Sequence, residues 1–486
     1  MRTEFDWTTI RRHLLILLLW ITPTLIHVSS LARDTLPAVT SPVQWGTFLK
    51  PFLADSLWNS RPVEPTFSSF EIPKSTYSPF VGTGDYSTGV FLAAESDPPV
   101  VIHPGEGRSG IWDPDAEELR SSVVIPHWPV GVAPATGTDG HGDVIDQVTG
   151  IVHSFYQLKY NKASGQWTAT QYAWSSIKGT GWGDPAHYFQ GARAAGVSAT
   201  AGLIRKSEID DGLPVYQHAL AMSLTFNALS ARPTYIYPAT SADTGAETQN
   251  SGLIPEGALM MLPPDYDSAK IVSPQLRKIA DTLKVYGAYI VDRNTGTPFV
   301  IYVENGSGFS LHPGGTWNSG VAADLDHIRA GLRQVLSAKD WIDGNGQKFT
   351  PNKTHRNVLS MRGPWVMVDG VQPGSFDTWS QSLSFPAPAD GRPVIQKNVS
   401  STGLGHVDWA KISPGTPMRF TVNATGSAQL QLVVFGDGKK VADSGGLSSG
   451  ASFQFVWPAD GTITLIAISG SSTPSSVSAE LISLDN

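Results

Sequence analysis

Alternating apolar and polar positions between residues 137 and 175 predict a glycine-spaced acidic loop followed by strands separated by turns. Residues two apart in a strand share a face, so His153 and Phe155 lie on one face of the first long strand, and Ser154 and Tyr156 lie on the other. Neither face is purely apolar. The pattern therefore favours a sheet with functional polar side chains on one side.

Two amphipathic helices are predicted later in the chain. Ser273 and Pro274 form a cap followed by a proline at the first helical position, and apolar residues keep helical spacing from Leu276 to Gly287. A second apolar stripe predicts a helix from about Ala322 to Leu336. Helices of this kind are expected to pack against one side or end of the sheet.

The C-terminal part of the chain has a different pattern. Beyond the Pro-rich stretch Phe385–Pro388, charges become rare, and Gly and Ser separate short apolar runs. These runs predict strands at residues 417–423, 428–435, 451–457, 462–468 and 477–484. Their spacing is typical of a small immunoglobulin-like β-sandwich.

The predicted fold is therefore mainly β. It consists of a central β-sandwich or jelly-roll-like domain with two packed α-helices, plus a small C-terminal immunoglobulin-like β-sandwich. We expect a signal peptide over residues 1–32, a β-rich and candidate catalytic main domain over 33–385, and a linker with an accessory sandwich over 386–486.

The N-terminal segment has the order of an export signal. Arg2, Arg11 and Arg12 precede the apolar stretch Leu14–Ile26, which is shorter than the ~20 apolar residues that a spanning helix needs. Small residues follow, where cleavage is expected, and an uncleaved membrane anchor is the alternative. After cleavage no membrane span is predicted, so the protein is expected to be secreted or periplasmic.

Composition narrows the class of partner. The net charge is -8, and the 34 Lys and Arg residues are scattered, which argues against a nucleic-acid partner. The chain has no cysteine, which excludes disulfides and thiolate chemistry. The 15 tryptophans fit sugar binding, because indole faces pack on pyranose rings, although indoles also fill hydrophobic cores. No cofactor is expected.

The acidic loop supplies the first catalytic candidates. Asp139, His141 and Asp143 stand two residues apart, and a carboxylate beside an imidazole can tune the proton affinities that general acid–base catalysis needs. Asp146 and His153 flank the adjoining hairpin and could join them across strands. The loop could instead hold a divalent cation, but its spacing matches no established metal motif, so no metal site is assigned.

Two further candidates lie outside this loop. His218 sits inside a predicted strand and is either a buried core histidine or a base or hydrogen-bond donor in a cleft. Glu256 is framed by a proline and a glycine, which would hold its carboxylate rigidly. Asp292 and Glu304 end predicted strands and are expected to be ordinary surface charges.

The expected substrate contacts are Tyr156 and Gln157 at the end of a strand, and Trp182 and Arg193 in glycine-rich loops. Hydrolysis of a glycosidic bond needs a pair of carboxylates, one protonated and one ionised. The acids that can supply this pair are Asp139, Asp143, Asp146, Glu208 and Glu256, and the sequence does not show which two meet. Elimination from a uronic-acid sugar would instead use His or Tyr as the base, with Arg193 neutralising the substrate carboxylate.

The predicted order of an export signal, a β-rich central domain with polar strand faces and a small terminal sandwich resembles that of secreted carbohydrate-active proteins. The resemblance is in architecture only. The Q-x-H pattern of the jelly-roll alginate lyases is not kept at Gln217-His218, so no residue roles are transferred.

The leading hypothesis is a secreted enzyme that cleaves a polysaccharide, with a glycoside hydrolase ahead of a polysaccharide lyase. A non-catalytic glycan-binding or cell-surface protein is the alternative. A peptidase or esterase is weaker, because the G-x-S-x-G match at 446–450 lies between predicted strands with no helix after it.

Overall fold

The structure is a computed structural model that describes residues 43–312, 314, 316–363, 365–368, 374–386, 394–397, 403–404, 407–471 and 474–484. The predicted signal peptide and residues 387 and 388 of the Pro-rich stretch lie outside this range. Every element described below belongs to one unit, 44–486. In the described part of the chain, no helix is long and apolar enough to cross a membrane.

A seven-stranded mixed sheet forms the centre of this unit. In spatial order its strands are Thr66–Phe67, Arg333–Ser337, Leu259–Met261, Ala288–Asn294, Leu220–Thr225, Phe299–Tyr302 and Phe80–Gly82. Apolar side chains alternate along the long central strands, so Met222 and Ile290 face one side, and Ala221 and Tyr289 face the other. Both faces are buried, each against a different layer.

Two helices, Pro274–Val285 and Ser319–Gly331, cover one face of this sheet. Their apolar residues, among them Leu276 and Ile328, belong to the same hydrophobic core as that face. Ser273 Oγ accepts a hydrogen bond from the Leu276 amide at 3.3 Å, which caps the first helix at the predicted position. The prediction of this helix is confirmed.

The second helix begins and ends earlier than predicted. Asn318 Oδ1 accepts hydrogen bonds from amides of the first turn, so the helix starts at Ser319. Leu332 is already extended, with ψ of 134°, and a strand follows from Arg333. The predicted helix is wrong over its last residues. The strand also carries apolar side chains such as Val335 into the core, which prolongs the apolar stripe.

A six-stranded sheet packs on the other face of the central sheet, and a four-stranded sheet packs outside it. The six strands are, in order, Gly89–Ala93, Gly142–Asp146, Ile151–Tyr156, Gln171–Ser176, Ile111–Asp113 and Glu118–Arg120. The four are Lys159–Asn161, Gln166–Ala169, Val100–Pro104 and Val123–Ile125. Val152 packs toward the central sheet and Phe155 toward the four-stranded sheet. The predicted central sandwich with two packed helices is confirmed.

Shorter elements complete this part of the chain. A three-stranded sheet contains Arg61–Val63, Asp340–Ile342 and Lys348–Phe349, and a two-stranded sheet contains Leu359–Ser360 and Gly403–Leu404. Further helical turns among the described residues are the α-helix Ala246–Gln249 and the 3-10 turns Lys206–Glu208, Ser268–Lys270 and Asp408–Ala410.

Two five-stranded sheets form the C-terminal sandwich and share one hydrophobic core. The first contains Trp365–Met367, Val394–Lys397, Thr462–Ile468, Gln429–Gly436 and Lys439–Asp443. The second contains Ser375–Asp377, Ser382–Phe385, Ser475–Ser483, Pro417–Thr425 and Ser452–Val456. The predicted sandwich is confirmed. Three of its strands precede residue 386, and the domain boundary at that residue remains a prediction.

Candidate functional site

Four carboxyl groups converge near the end of the central strand Ala288–Asn294, and we call them the acidic cluster: Asp139, Asp243, Glu256 and Asp292. Asp292 lies on that strand, and the other three lie in loops. Glu256 Oε1 accepts a hydrogen bond from the Asp243 amide at 3.1 Å, and Asp243 Oδ2 accepts one from the amide after Asp292 at 2.8 Å. The charge of Asp139 acts on both Asp243 and Asp292.

Two arginines balance part of this charge. Arg193 Nη1 donates to Asp292 Oδ2 at 2.9 Å, and its guanidinium lies 3.9 Å from the centroid of the Tyr302 ring. Arg293 Nη2 lies 3.7 Å from Asp243 Oδ1. Because four carboxyl groups face two guanidinium groups, the cluster favours protonation of some of its members.

Asp292 keeps its proton to near-neutral pH. Burial raises the pKa of Asp292, Arg193 lowers it, and the carboxylates of Asp243 and Asp139 raise it again, to about 7. A carboxyl group with a pKa near the working pH can both give and regain a proton. The Asp292 side chain is 17% exposed, so it is not completely enclosed by the protein.

Glu256 is the most enclosed member of the acidic cluster. It is fully buried, and burial followed by the charge of Asp243 raises its pKa well above the ordinary value. Burial also raises the pKa of Asp243, against the opposing charge of Arg293. Glu256 holds the Asp243 loop in place, because its carboxyl oxygen accepts the hydrogen bond of the Asp243 amide.

Asp139 lies on the glycine-spaced loop and is partly exposed. Its Oδ1 accepts a hydrogen bond from Tyr156 Oη at 3.4 Å, and its backbone carbonyl accepts one from the Gln157 amide at 2.7 Å. Gly140 has φ of 48°, and a Cβ added there would come within 3.2 Å of Gln157 Cα. The strand end that carries Tyr156 and Gln157 therefore positions Asp139.

His141 and Asp143 are buried, unlike Asp139. Burial, and then the charge of Arg193, lowers the pKa of His141 to about 3, so its ring is neutral at neutral pH. Asp143 Oδ2 accepts hydrogen bonds from Thr200 N and Oγ1 at 2.7 Å and 2.8 Å. Among the described residues, no three His, Asp or Glu side chains form a group that could hold a metal ion.

The side chains of Asp146 and His153 each contact a side chain from outside their hairpin. Asp146 Oδ2 lies 2.8 Å from His127 Nδ1, and Asp146 Oδ1 accepts two amide hydrogen bonds of the turn. Burial raises the pKa of Asp146, but these hydrogen bonds outweigh it and lower the pKa overall. His153 Nδ1 lies 2.8 Å from Tyr172 Oη, and burial lowers the pKa of His153 to about 3.

The side chains of His218 and Trp182 contact other groups of the protein. His218 Nε2 lies 3.0 Å from Glu208 Oε2, and its Nδ1 lies 2.9 Å from the Ala219 carbonyl. Trp182 is fully buried, and its indole stacks on that of Trp58 with ring centroids 4.5 Å apart. A stacked and fully buried indole offers no face to a ligand. The roles predicted for these two residues remain predictions.

Two members of the acidic cluster, Asp243 and Asp292, are not among the candidates that the sequence predicts. The expectation that Asp292 and Glu304 are ordinary surface charges is wrong, because Asp292 pairs with a buried arginine and Glu304 is 2% exposed beside Arg205. Asp292 directly follows the buried apolar run 288–291, which is a usable signal for a functional strand end. Asp243 has no comparable local signal.

We expect the stability of the folded protein to fall between about pH 5 and about pH 7 because of Asp292. Its pKa of about 7 lies above the ordinary 3.8, so the folded protein keeps a proton that the unfolded chain releases. That contribution is complete below the unfolded pKa and is lost as the pH rises through about 7.

Melting temperatures from about pH 4.5 to 8 for the wild-type protein and Asp292→Asn would measure this dependence. The difference between the two curves should change with pH in that window, because the amide does not titrate. Parallel curves would contradict the raised pKa of Asp292.

No protein-family model and no curated protein matches the chain. A glycosylation-associated protein complex from Streptococcus agalactiae is similar, with 14% identity over 25% of this chain and 46% of that chain and a TM-score of 0.18. A CBM4 structure matches with 19% identity, 24% and 94% coverage of the two chains, and a TM-score of 0.16. The N-terminal cellulose-binding domain of Cellulomonas fimi β-1,4-glucanase C matches with 20% identity, 25% and 90% coverage, and a TM-score of 0.16. This chain spans less than half of the first of these chains, and such scores carry no functional argument.

Proposed function

We propose that this protein is a secreted glycoside hydrolase that cleaves a polysaccharide, with Asp292 as general acid and Asp139 as the carboxylate that assists the attacking water. The acidic cluster carries this proposal, because in it one partly exposed carboxyl group has a pKa of about 7 beside other carboxyl groups. Most glycoside hydrolases use such a pair, one acid and one carboxylate.

In the proposed reaction, Asp292 gives its proton to the glycosidic oxygen as the bond to the anomeric carbon breaks. Arg193, 2.9 Å from Asp292 Oδ2, stabilises the carboxylate that this step leaves. Asp139, oriented by Tyr156, takes a proton from the water that adds to the anomeric carbon. Proton exchange with solvent then restores both groups.

The backbone of an exposed aromatic residue lies beside the arginine that pairs with Asp292. Tyr86 is 54% exposed, and its backbone carbonyl accepts a hydrogen bond at 3.5 Å from Arg193. The backbone carbonyl of the preceding Asp85 accepts a hydrogen bond from the Gly137 amide at the base of the Asp139 loop. An exposed aromatic ring suits the C–H faces of pyranose rings, which is compatible with a sugar substrate.

The residues around the acidic cluster are less suited to elimination from a uronic-acid sugar. His141 is buried with a pKa of about 3, which makes it a weak base. Burial, and then the charge of Asp139, raises the pKa of Tyr156 and so opposes its ionisation. These observations favour hydrolysis over elimination.

Purified protein incubated with neutral and uronic-acid polysaccharides would test the proposed function. We expect new reducing ends on a neutral polysaccharide without the ultraviolet absorbance of unsaturated uronates. Both signals together would contradict hydrolysis and favour a lyase. Retention on an immobilised glycan with neither signal would favour a non-catalytic binding protein.

A further inference from the structure

We propose that a second saccharide site lies in the cavity between the six-stranded sheet and the C-terminal sandwich. The cavity has a volume of about 450 Å³, within the range of about 300–1,000 Å³ that is typical of small-molecule sites. None of its described lining residues belongs to the acidic cluster. Residues from both walls line it, among them Asp113, Arg120, Val124, Tyr172, Ser375 and Trp379.

Hydrogen bonds join the two walls of this cavity. Arg120 Nη2 donates to the Phe376 carbonyl at 3.0 Å, and Thr378 Oγ1 donates to Asp113 Oδ2 at 3.1 Å. Arg120 Nε also pairs with Asp113 Oδ2 at 3.1 Å. Asp113 and Thr378 are both 4% exposed, so these bonds are shielded from water. The cavity is therefore held at a fixed shape by contacts between the central sheets and the sandwich.

Trp379 and Tyr172 give the cavity an aromatic wall. Their ring centroids are 6.1 Å apart with an interplanar angle of 25°, and the centroid of the buried His153 ring lies 5.1 Å from that of Trp379. The Trp379 amide donates to Asp377 Oδ1 at 2.9 Å, which fixes the backbone beneath the indole. Because Trp379 is only half-buried and lines the cavity, its ring can pack against a pyranose.

The polar lining selects an uncharged ligand. Two carboxyl groups, Asp113 and Asp377, line the cavity together with the single guanidinium of Arg120, and Asp113 already engages that guanidinium. An anionic ligand would meet an excess of negative charge. Serine hydroxyls, including that of Ser375, line the same cavity and can bond the hydroxyl groups of a sugar. Aromatic wall, hydroxyls and charge together fit a neutral saccharide.

Two tryptophan substitutions on adjacent strands test whether a ligand binds inside this cavity. Val124 and Val101 are partners on adjacent strands and are 54% and 41% exposed, but only Val124 lines the cavity. We would titrate the full chain by calorimetry with cellohexaose, laminarihexaose, xylohexaose and mannohexaose. We expect at least one hexaose to bind, with Kd raised at least tenfold by Val124→Trp and unchanged by Val101→Trp.

Two outcomes would overturn the second site: no hexaose binds, or Val124→Trp and Val101→Trp weaken binding equally. Binding that is weakened by Val124→Trp and unchanged by Val101→Trp supports a saccharide site in this cavity whether or not the hydrolase proposal holds, because none of the described lining residues belongs to the acidic cluster. Ser375→Trp, at an exposed position on the other wall, provides the same test if Val124→Trp does not fold.

Discussion

Replacing Asp292 by asparagine should lower kcat by about 10²–10⁴-fold on the glycan that the wild-type protein hydrolyses, the usual contribution of a positioned acid. The amide cannot supply the proton that the departing sugar oxygen needs. It can still accept the hydrogen bond of Arg193, now 2.9 Å from Asp292 Oδ2, so the site should keep its shape and KM should change little. Initial rates from a reducing-end assay would measure both constants.

Two kinetic measurements distinguish the loss of the general acid from a distortion of the active site: the pH dependence of the rate and the activity on an aryl glycoside. The wild-type rate should fall as the pH rises through about 7, because only the protonated fraction of Asp292 reacts, and its pKa is about 7. An aryl glycoside with a good leaving group needs little protonation. Asp292→Asn should therefore lose much less activity on such a substrate than on the polysaccharide.

Asp437→Asn is the control for this substitution. It makes the same chemical change at an exposed turn residue of the C-terminal sandwich, where φ is 49°, a conformation that asparagine adopts readily. Its activity should equal that of the wild-type protein. Full polysaccharide activity in Asp292→Asn would remove Asp292 from the mechanism and return attention to the other carboxyl groups.

The fold could be predicted largely from local patterns. When one face of a helix or strand is buried, apolar residues recur along the sequence at the period of that element. The helix Pro274–Val285 follows from a cap, a proline and an apolar stripe, each readable within a few residues. The end of the second helix could not be read in this way. Leu332 and Val335 both enter hydrophobic cores, so burial alone does not show that the backbone becomes extended between them.

The acidic cluster could be predicted only in part. Asp139 and Glu256 have local signals, a glycine-spaced loop and a rigid Pro-Gly frame. Asp292 joins the cluster through Arg193, which is 99 residues away, and Asp243 joins it through an amide 50 residues away. Contacts at such separations depend on the order of strands in the sheet, which spacing along the chain does not reveal.

Replacing Trp182 by alanine should lower the free energy of unfolding by about 3–5 kcal/mol, the range for truncating a large buried aromatic side chain. Trp182 is fully buried, stacks on Trp58 at 4.5 Å and meets Tyr289 edge-on at 5.1 Å. The alanine would leave a void between the central and six-stranded sheets that these rigid rings cannot fill. Urea unfolding followed by circular dichroism would measure the loss.

Trp317→Ala is the matched control, since this tryptophan is 62% exposed and its ring stacks on that of His312 at 4.8 Å. Its stability should stay within about 0.5 kcal/mol of the wild-type value. At temperatures where Trp182→Ala is folded, its KM should be unchanged, because the substitution lies in the core and not in the acidic cluster. A raised KM with near-native stability would instead make Trp182 the substrate contact that the sequence predicts, and the stacked core around it would then have to open for a ligand to enter.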